Sequence, residues 1–201
     1  MRCLFCDENI EKYTLSSLFL EEDCLCYKCR NALKVKREYL NIDGLKIECF
    51  YEYDGIFKSM LIQYKECYDE ALAPIFLYKL KEYIELKYHN YQILFVPSSK
   101  SKIEERGFNH LELIFKDVKL NRVKGLYAKE DLIQEGKSVD ERKMMLDNYL
   151  YRGDKLNKVL IIDDVLTTGS SVLGVYKAIK PYCNGKIKAL SLGRKRFHIN
   201  K

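Results

Sequence analysis

The chain alternates between apolar stretches of strand length and stretches whose apolar residues recur at helical spacing. Val159, Leu160, Ile161 and Ile162 follow one another without a polar break, which suits a parallel strand covered on both faces. Positions 45–53, 91–96 and 186–192 read as further strands, the first stopping at Asp54-Gly55 and the second at Pro97-Ser98-Ser99. Helical spacing predicts helices over 56–64, 71–88 and 171–180, with Pro74 tolerable in a first turn. A shorter helix opens at Arg106-Gly107-Phe108-Asn109-His110, after a charged segment over 100–107, and runs to Phe115. Short strands are expected near Val118 and Val123. Positions 128–147 are polar and long, the pattern of a lid or a disordered insertion. Strands alternating with helices make an α/β fold with a doubly wound, mainly parallel sheet the economical architecture.

Chemistry gathers where the strand at 159–163 ends. Asp163 and Asp164 come first, and Thr167, Thr168, Gly169, Ser170 and Ser171 then lead into a helix. The backbone N–H groups of such a turn, the positive end of the helix dipole and four hydroxyls all favour a phosphate, and Gly169 lets the backbone approach it. Two adjacent carboxylates are costly to bury dry, so they are expected to face ribose hydroxyls, a hydrated Mg²⁺, or both. The plainer alternative is a strand, an acidic turn and an ordinary helix cap, since Asp, Thr and Ser are common helix starters.

Five of the eight cysteines fall within the first thirty residues: Cys3, Cys6, Cys24, Cys26 and Cys29. Cys3 and Cys6 form one CxxC pair, Cys26 and Cys29 a second, and nineteen residues separate them, a spacing suited to tetrahedral thiolate coordination of structural Zn²⁺. A segment too short for its own core needs such a staple, and a reducing compartment disfavours disulfides. Cys24 offers a competing pairing and is expected to be spare, although spacing leaves open whether it replaces Cys26. Cys49, Cys67 and Cys183 sit singly in apolar stretches and read as small core residues. The chain then divides into a zinc-binding segment, 1–40, and a larger α/β domain, 41–201.

With 201 residues and 47% apolar content, the chain can bury a real core. The balance of 35 basic against 29 acidic residues, net +6, permits a nucleic-acid or phosphorylated partner without requiring one. The densest basic cluster, Arg194-Lys195-Arg196 before Phe197 and His198, is either a solvated tail or a nucleic-acid contact. No apolar run is long enough to span a bilayer, and Met1-Arg2-Cys3 lacks a signal-peptide core, so a cytoplasmic protein without membrane insertion is expected.

The string from Val159 to Ser171 resembles the ribose-phosphate signature of the type I phosphoribosyltransferases, whose substrate is 5-phosphoribosyl-1-pyrophosphate (PRPP). The resemblance implies that Asp163 and Asp164 hold the ribose hydroxyls, with Mg²⁺ near them, and that the loop from Thr167 to Ser171 wraps the 5-phosphate. Ser98 and Ser99 then become the pyrophosphate contact, and Lys65 and Arg106 the candidates for neutralising the leaving group.

A narrower resemblance covers nearly the whole chain. The paired CxxC motifs, Tyr64-Lys65, Val96-Pro97, Arg106-Gly107-Phe108-Asn109, Gln134 with Glu141-Arg142 in the polar stretch that also holds Gly136 and Ser138, and the Asp-Asp-Thr-Thr-Gly loop occur in an order similar to the ComF/ComFC family of competence proteins. That family implies a zinc ribbon fused to a phosphoribosyltransferase-like domain of the type I kind. It implies cytoplasmic handling of incoming single-stranded DNA in natural transformation. A separate regulatory reading couples PRPP sensing to a DNA-uptake helicase or membrane channel, with the protein peripheral to the inner membrane. His110 replaces the usual Gln after the RGFN motif, and Met145 stands where an Asn commonly follows Glu-Arg. Because no residue identifies an acceptor, two alternatives stand beside the phosphoribosyltransferase: a non-catalytic PRPP- or nucleic-acid-binding module or sensor, and a nucleobase phosphoribosyltransferase of salvage metabolism.

Overall fold

The computed structural model describes residues 2–10, 24–128 and 148–196. Gln134, Gly136, Ser138, Glu141, Arg142, Met145, Phe197 and His198 lie outside them, and with them the expected lid. The chain enters through a short helix α1 (Tyr27–Ala32) and an antiparallel hairpin, β1 (Glu38–Ile42) and β2 (Leu45–Glu52). It continues through α2 (Gly55–Glu66), α3 (Lys81–Lys87), β3 (Gln92–Phe95), α4 (Lys100–Arg106) and α5 (His110–Ile114). A two-stranded hairpin of β4 (Leu126–Ala128) and β5 (Tyr149–Tyr151) follows, then β6 (Val159–Leu166), α6 (Ser170–Ile179) and β7 (Ile187–Arg194).

The main sheet has the order β1-β2-β7-β6-β3, parallel throughout except for β1 at its edge. Its two faces are buried separately, which is why its strands read as near-continuous apolar runs. Leu160 and Ile162 of β6 pack with Leu190, Leu192 and Phe50 beneath α2. Val159 and Ile161 pack with Leu45, Ile47 and Leu94 beneath Val172, Val175 and Ile179 of α6. Each such side chain contributes roughly 1.5–3 kcal/mol on leaving water. Helix α2 meets the sheet through Phe57, Met60, Leu61 and Tyr64, the i, i+3, i+4, i+7 stripe of an amphipathic helix. The cysteine segment does not stand apart, for Leu25, Cys26, Cys29 and Leu33 join the same buried cluster as Phe50 and Phe76.

Several expectations are revised. The helix expected over 71–88 is instead a 3₁₀ segment, Glu70–Leu77, followed by α3. Pro74 falls inside that segment, where it has no N–H to donate, and Lys79 takes a left-handed conformation at φ 59°, which breaks any continuous ladder. The charged stretch over 100–107 is helical as α4 and ends at Gly107, left-handed at φ 84°. No strand forms near Val118; near Val123 the chain makes a single bridge, Arg122 to Ile93, along the outer edge of β3. Strand β6 runs beyond Asp163 to Leu166, because Asp163 pairs with Ser191 and Val165 with Gly193 while Leu166 is buried, so both acids lie within the strand. Only Cys49 of the three single cysteines is a core residue; Cys67 is exposed and Cys183 half-buried. The basic run begins within the fold, since Arg194 ends β7 and pairs with Glu38, while Lys195 and Arg196 are exposed, Arg196 reaching Glu52 at 3.2 Å. Among the described residues no helix is long and apolar enough to cross a membrane.

Candidate functional site

At the carboxyl end of the parallel strands lies a cleft of about 610 Å³. Open α/β sheets collect ligands in this position, because the loops that follow the strands diverge there. Asp163 and Asp164 of β6 form its floor, Ser98 and Ser99 follow β3, and Ser171 belongs to the first turn of α6. Lys65, one residue before the end of α2, and Arg106, the last residue of α4, supply positive charge, while Asn148 and Tyr149 close the side toward β5.

The cleft therefore brings together seven of the residues expected to act there: Lys65, Ser98, Ser99, Arg106, Asp163, Asp164 and Ser171. Thr167, Thr168 and Ser170 are exposed on the adjoining turn. Thr168 Oγ1 and Ser170 Oγ lie 3.0 Å apart, and the Ser170 amide donates to Thr168 Oγ1 at 3.4 Å. Gly169 is the N-cap of α6 with φ 81°, and a Cβ there would sit 3.0 Å from Ile42 Cδ1, so a side chain would meet both backbone strain and a neighbour. The first amides of α6 have no partner within the helix and, together with the helix dipole, favour negative charge in front of them.

The electrostatics centre on Asp164. Its Oδ2 accepts from Lys65 Nζ at 2.5 Å and lies 3.1 Å from His110 Nε2, and its Oδ1 accepts from the Val165 amide. Burial alone would push this carboxyl up, but the His110 hydrogen bond and the Lys65 charge outweigh it and hold Asp164 well below the usual carboxylate range. Asp163 accepts from the Asp164 amide at 2.9 Å, and Lys65 acts on it too weakly to offset its burial. Burial, and then the neighbouring Asp164 charge, push it up to about 8. Two adjacent carboxyls whose environments drive them apart in this way are a mark of functional sites.

His110 was visible in the sequence only as a departure from the RGFN pattern, yet its ring lies in the middle of this cluster. It is 5% exposed, with Nδ1 3.2 Å from Ser98 Oγ and 3.4 Å from Arg106 Nη1. The motif before it has a local explanation. Arg106 donates through Nε to the Lys65 carbonyl at 3.0 Å, Gly107 turns the chain, Phe108 packs on Tyr64 with ring centroids 5.2 Å apart, and Asn109 caps α5 through the Glu112 amide.

A second centre lies at the N-terminus. The sulfur atoms of Cys3, Cys6, Cys26 and Cys29 all fall within 4.8 Å of one another, and Cys24 is not among them. Cys6 and Cys26 Sγ are 3.6 Å apart, close to the edge of about 3.8 Å that a tetrahedron has when its Zn–S bonds are about 2.3 Å. Burial raises the Cys3 thiol, but hydrogen bonds from the backbone at Cys26, Cys6 and Phe5 draw it down to about 7. Cys29 is pushed up by burial and by the crowding of the other thiols, which a divalent cation would relieve. These four residues fit a structural zinc ion.

No protein-family model matches the chain. Its sequence is 26% identical to competence protein ComFC of Streptococcus pneumoniae, across 96% of this chain and 100% of that one. The four-cysteine cluster fits the same relationship. The chain is therefore similar to a ComFC competence protein along nearly its whole length. Its mainly parallel α/β sheet with an N-terminal cysteine knot has the form of a zinc ribbon joined to a phosphoribosyltransferase-like domain.

Proposed function

We propose that the chain is a competence-related protein whose cleft binds PRPP with Mg²⁺ and which acts in the handling of incoming single-stranded DNA. The observation that carries the PRPP reading is the juxtaposition of Asp163 and Asp164 with the first turn of α6 on one side and Lys65 and Arg106 on the other, within one cleft. In this reading Asp163 and Asp164 hold the ribose hydroxyls, the turn from Thr167 to Ser171 grips the 5-phosphate, and Ser98 and Ser99 face the pyrophosphate. Lys65 and Arg106 offset the charge that develops on pyrophosphate as its bond to the anomeric carbon breaks. Mg²⁺, held near the two acids, would add charge neutralisation. Similarity to a competence protein along 96% of the chain and a net charge of +6 support the role in DNA handling.

Binding without turnover is favoured by one feature. Asp164 already accepts from Lys65, His110 and the Val165 amide, so the arrangement is well built to hold a ligand while the cations stay engaged. Incubation with PRPP and Mg²⁺, assaying pyrophosphate release with each nucleobase and with single-stranded DNA, separates the two. Release dependent on one acceptor identifies a transferase; saturable binding with no release identifies a PRPP-binding module. Absence of binding removes the reading altogether.

A further inference from the structure

We propose that His110, as a neutral imidazole carrying its hydrogen on Nε2, is the positioning residue that fixes Arg106 and Ser98 against Asp164. The inference rests on the reading of the cleft as a PRPP site and names how that site is held in register.

The geometry sets the tautomer. A guanidinium has only N–H donors, so Arg106 Nη1, 3.4 Å from His110 Nδ1, requires a bare nitrogen there. The hydrogen must then be on Nε2, which lies 3.1 Å from Asp164 Oδ2 and donates to it. Ser98 Oγ, 3.2 Å from Nδ1, is a second donor to the same lone pair. The ring thus spans three elements: the loop after β3, the end of α4 and the floor strand β6. Its own freedom is removed on every side. Asn109 caps the helix on which it stands, the His110 carbonyl accepts from the buried Tyr64 hydroxyl at 2.8 Å, and the residue is 5% exposed.

The bridge joins groups that the proposed reading assigns to different parts of one ligand. Ser98 and Arg106 face the pyrophosphate, and Asp164 faces the ribose. A small displacement between them would lose the simultaneous contact, because productive contacts depend on placement within about half an ångström. Glutamine can reproduce the bridge, offering its carbonyl oxygen to Arg106 and its amide N–H to Asp164. Alanine cannot.

Two measurements test this. The first needs no ligand: long-range ¹H–¹⁵N correlation of the histidine rings at pH 7.5, with three histidines in the chain and His110 assigned by its loss in His110→Gln. An Nε2–H tautomer is expected; an Nδ1–H ring overturns the proposal. The second is PRPP affinity by calorimetry, with thermal melting as a check on folding. His110→Ala is expected to weaken binding about tenfold or more, the usual scale for a lost hydrogen bond to a charged group, and His110→Gln to restore most of it. Wild-type affinity in His110→Ala, or no recovery in a folded His110→Gln, overturns the proposal. If the wild-type protein binds no PRPP, the reading of the cleft fails instead, and the tautomer still decides whether the bridge exists.

Discussion

Glu48 and Asp164 are both buried carboxylates on strands of one sheet, and each pairs with a lysine near the end of a helix, yet of the two Asp164 alone lines the cleft. Glu48 is 1% exposed and accepts from Tyr83 and Tyr88 hydroxyls at 2.7 Å each and from Lys87 at 2.8 Å. Burial raises it, but these three donors together hold it below its ordinary value. It stands alone, walled by aromatic rings, and its hydrogen bonds fasten α3 to β2. Asp164 has comparable cationic support but borders an open cleft beside a second acid, and the pair leaves Asp163 pushed up to about 8. An isolated buried acid with saturated donors serves folding. A pair of adjacent acids facing a cavity is more than folding needs, and is the arrangement the proposed PRPP site uses.

Changes at the two places should separate stability from binding, and a third place sets the scale. Cys26→Ser, or zinc removal by a strong chelator, should have the largest effect: loss of the N-terminal segment and of the core contacts that Leu25 and Leu33 make, since structural zinc supplies about 10–16 kcal/mol of apparent binding energy. Calorimetric melting with metal analysis reads this, expecting one zinc per chain. Glu48→Ala should destabilise by about 3–5 kcal/mol in urea unfolding, because it leaves Lys87 and two tyrosine hydroxyls facing an empty position. PRPP affinity should change by less than about twofold, because Glu48 lies outside the cleft. The pH dependence has a definite sign. Glu48 has a lowered value in the fold, so its contribution is present above the unfolded value of about 4.3 and is lost as pH falls through the lower folded one.

Asp163 should behave in the opposite sense. Its folded value is raised, so its contribution to stability is present below the unfolded value of about 3.9 and drains away as pH rises toward 8. Asp163→Asn should remove that decline, so that it gains stability over the wild type at pH 8 and gains less at pH 5. Melting temperatures at the two pH values check it. Gly169→Ala should have the smallest effect on folding, about 1 kcal/mol from the left-handed backbone and the Ile42 contact, and should weaken phosphate binding.

The contrast also shows what sequence could reveal. The parallel strands, α2 and α6 were legible because their apolar periodicity follows directly from burial on two faces or one stripe. The cysteine knot was legible because metal geometry constrains spacing. The break at Lys79 was not, since a left-handed lysine has no local signal, and the apolar stretch before it reads as helix whichever way it winds. Asp163, Asp164 and Ser171 were legible as a site because their chemistry is local. His110, some fifty residues earlier, was not, because its role depends on α5 placing its ring over β6. Glu48 could not be paired with Lys87 for the same reason.

The central claim is that Asp163 and Asp164 hold the pentose of a phosphorylated ligand. Calorimetric titration of PRPP with Mg²⁺ into the wild-type protein and into the variant Asp163→Asn with Asp164→Asn tests it most directly, because the substitutions keep shape and remove the two carboxyl groups. Saturable, Mg²⁺-dependent binding in the wild type and a loss of about thirtyfold or more in the folded variant is the expected result, on the scale of two lost charged hydrogen bonds. Equal Mg²⁺-dependent affinity in both proteins would contradict it.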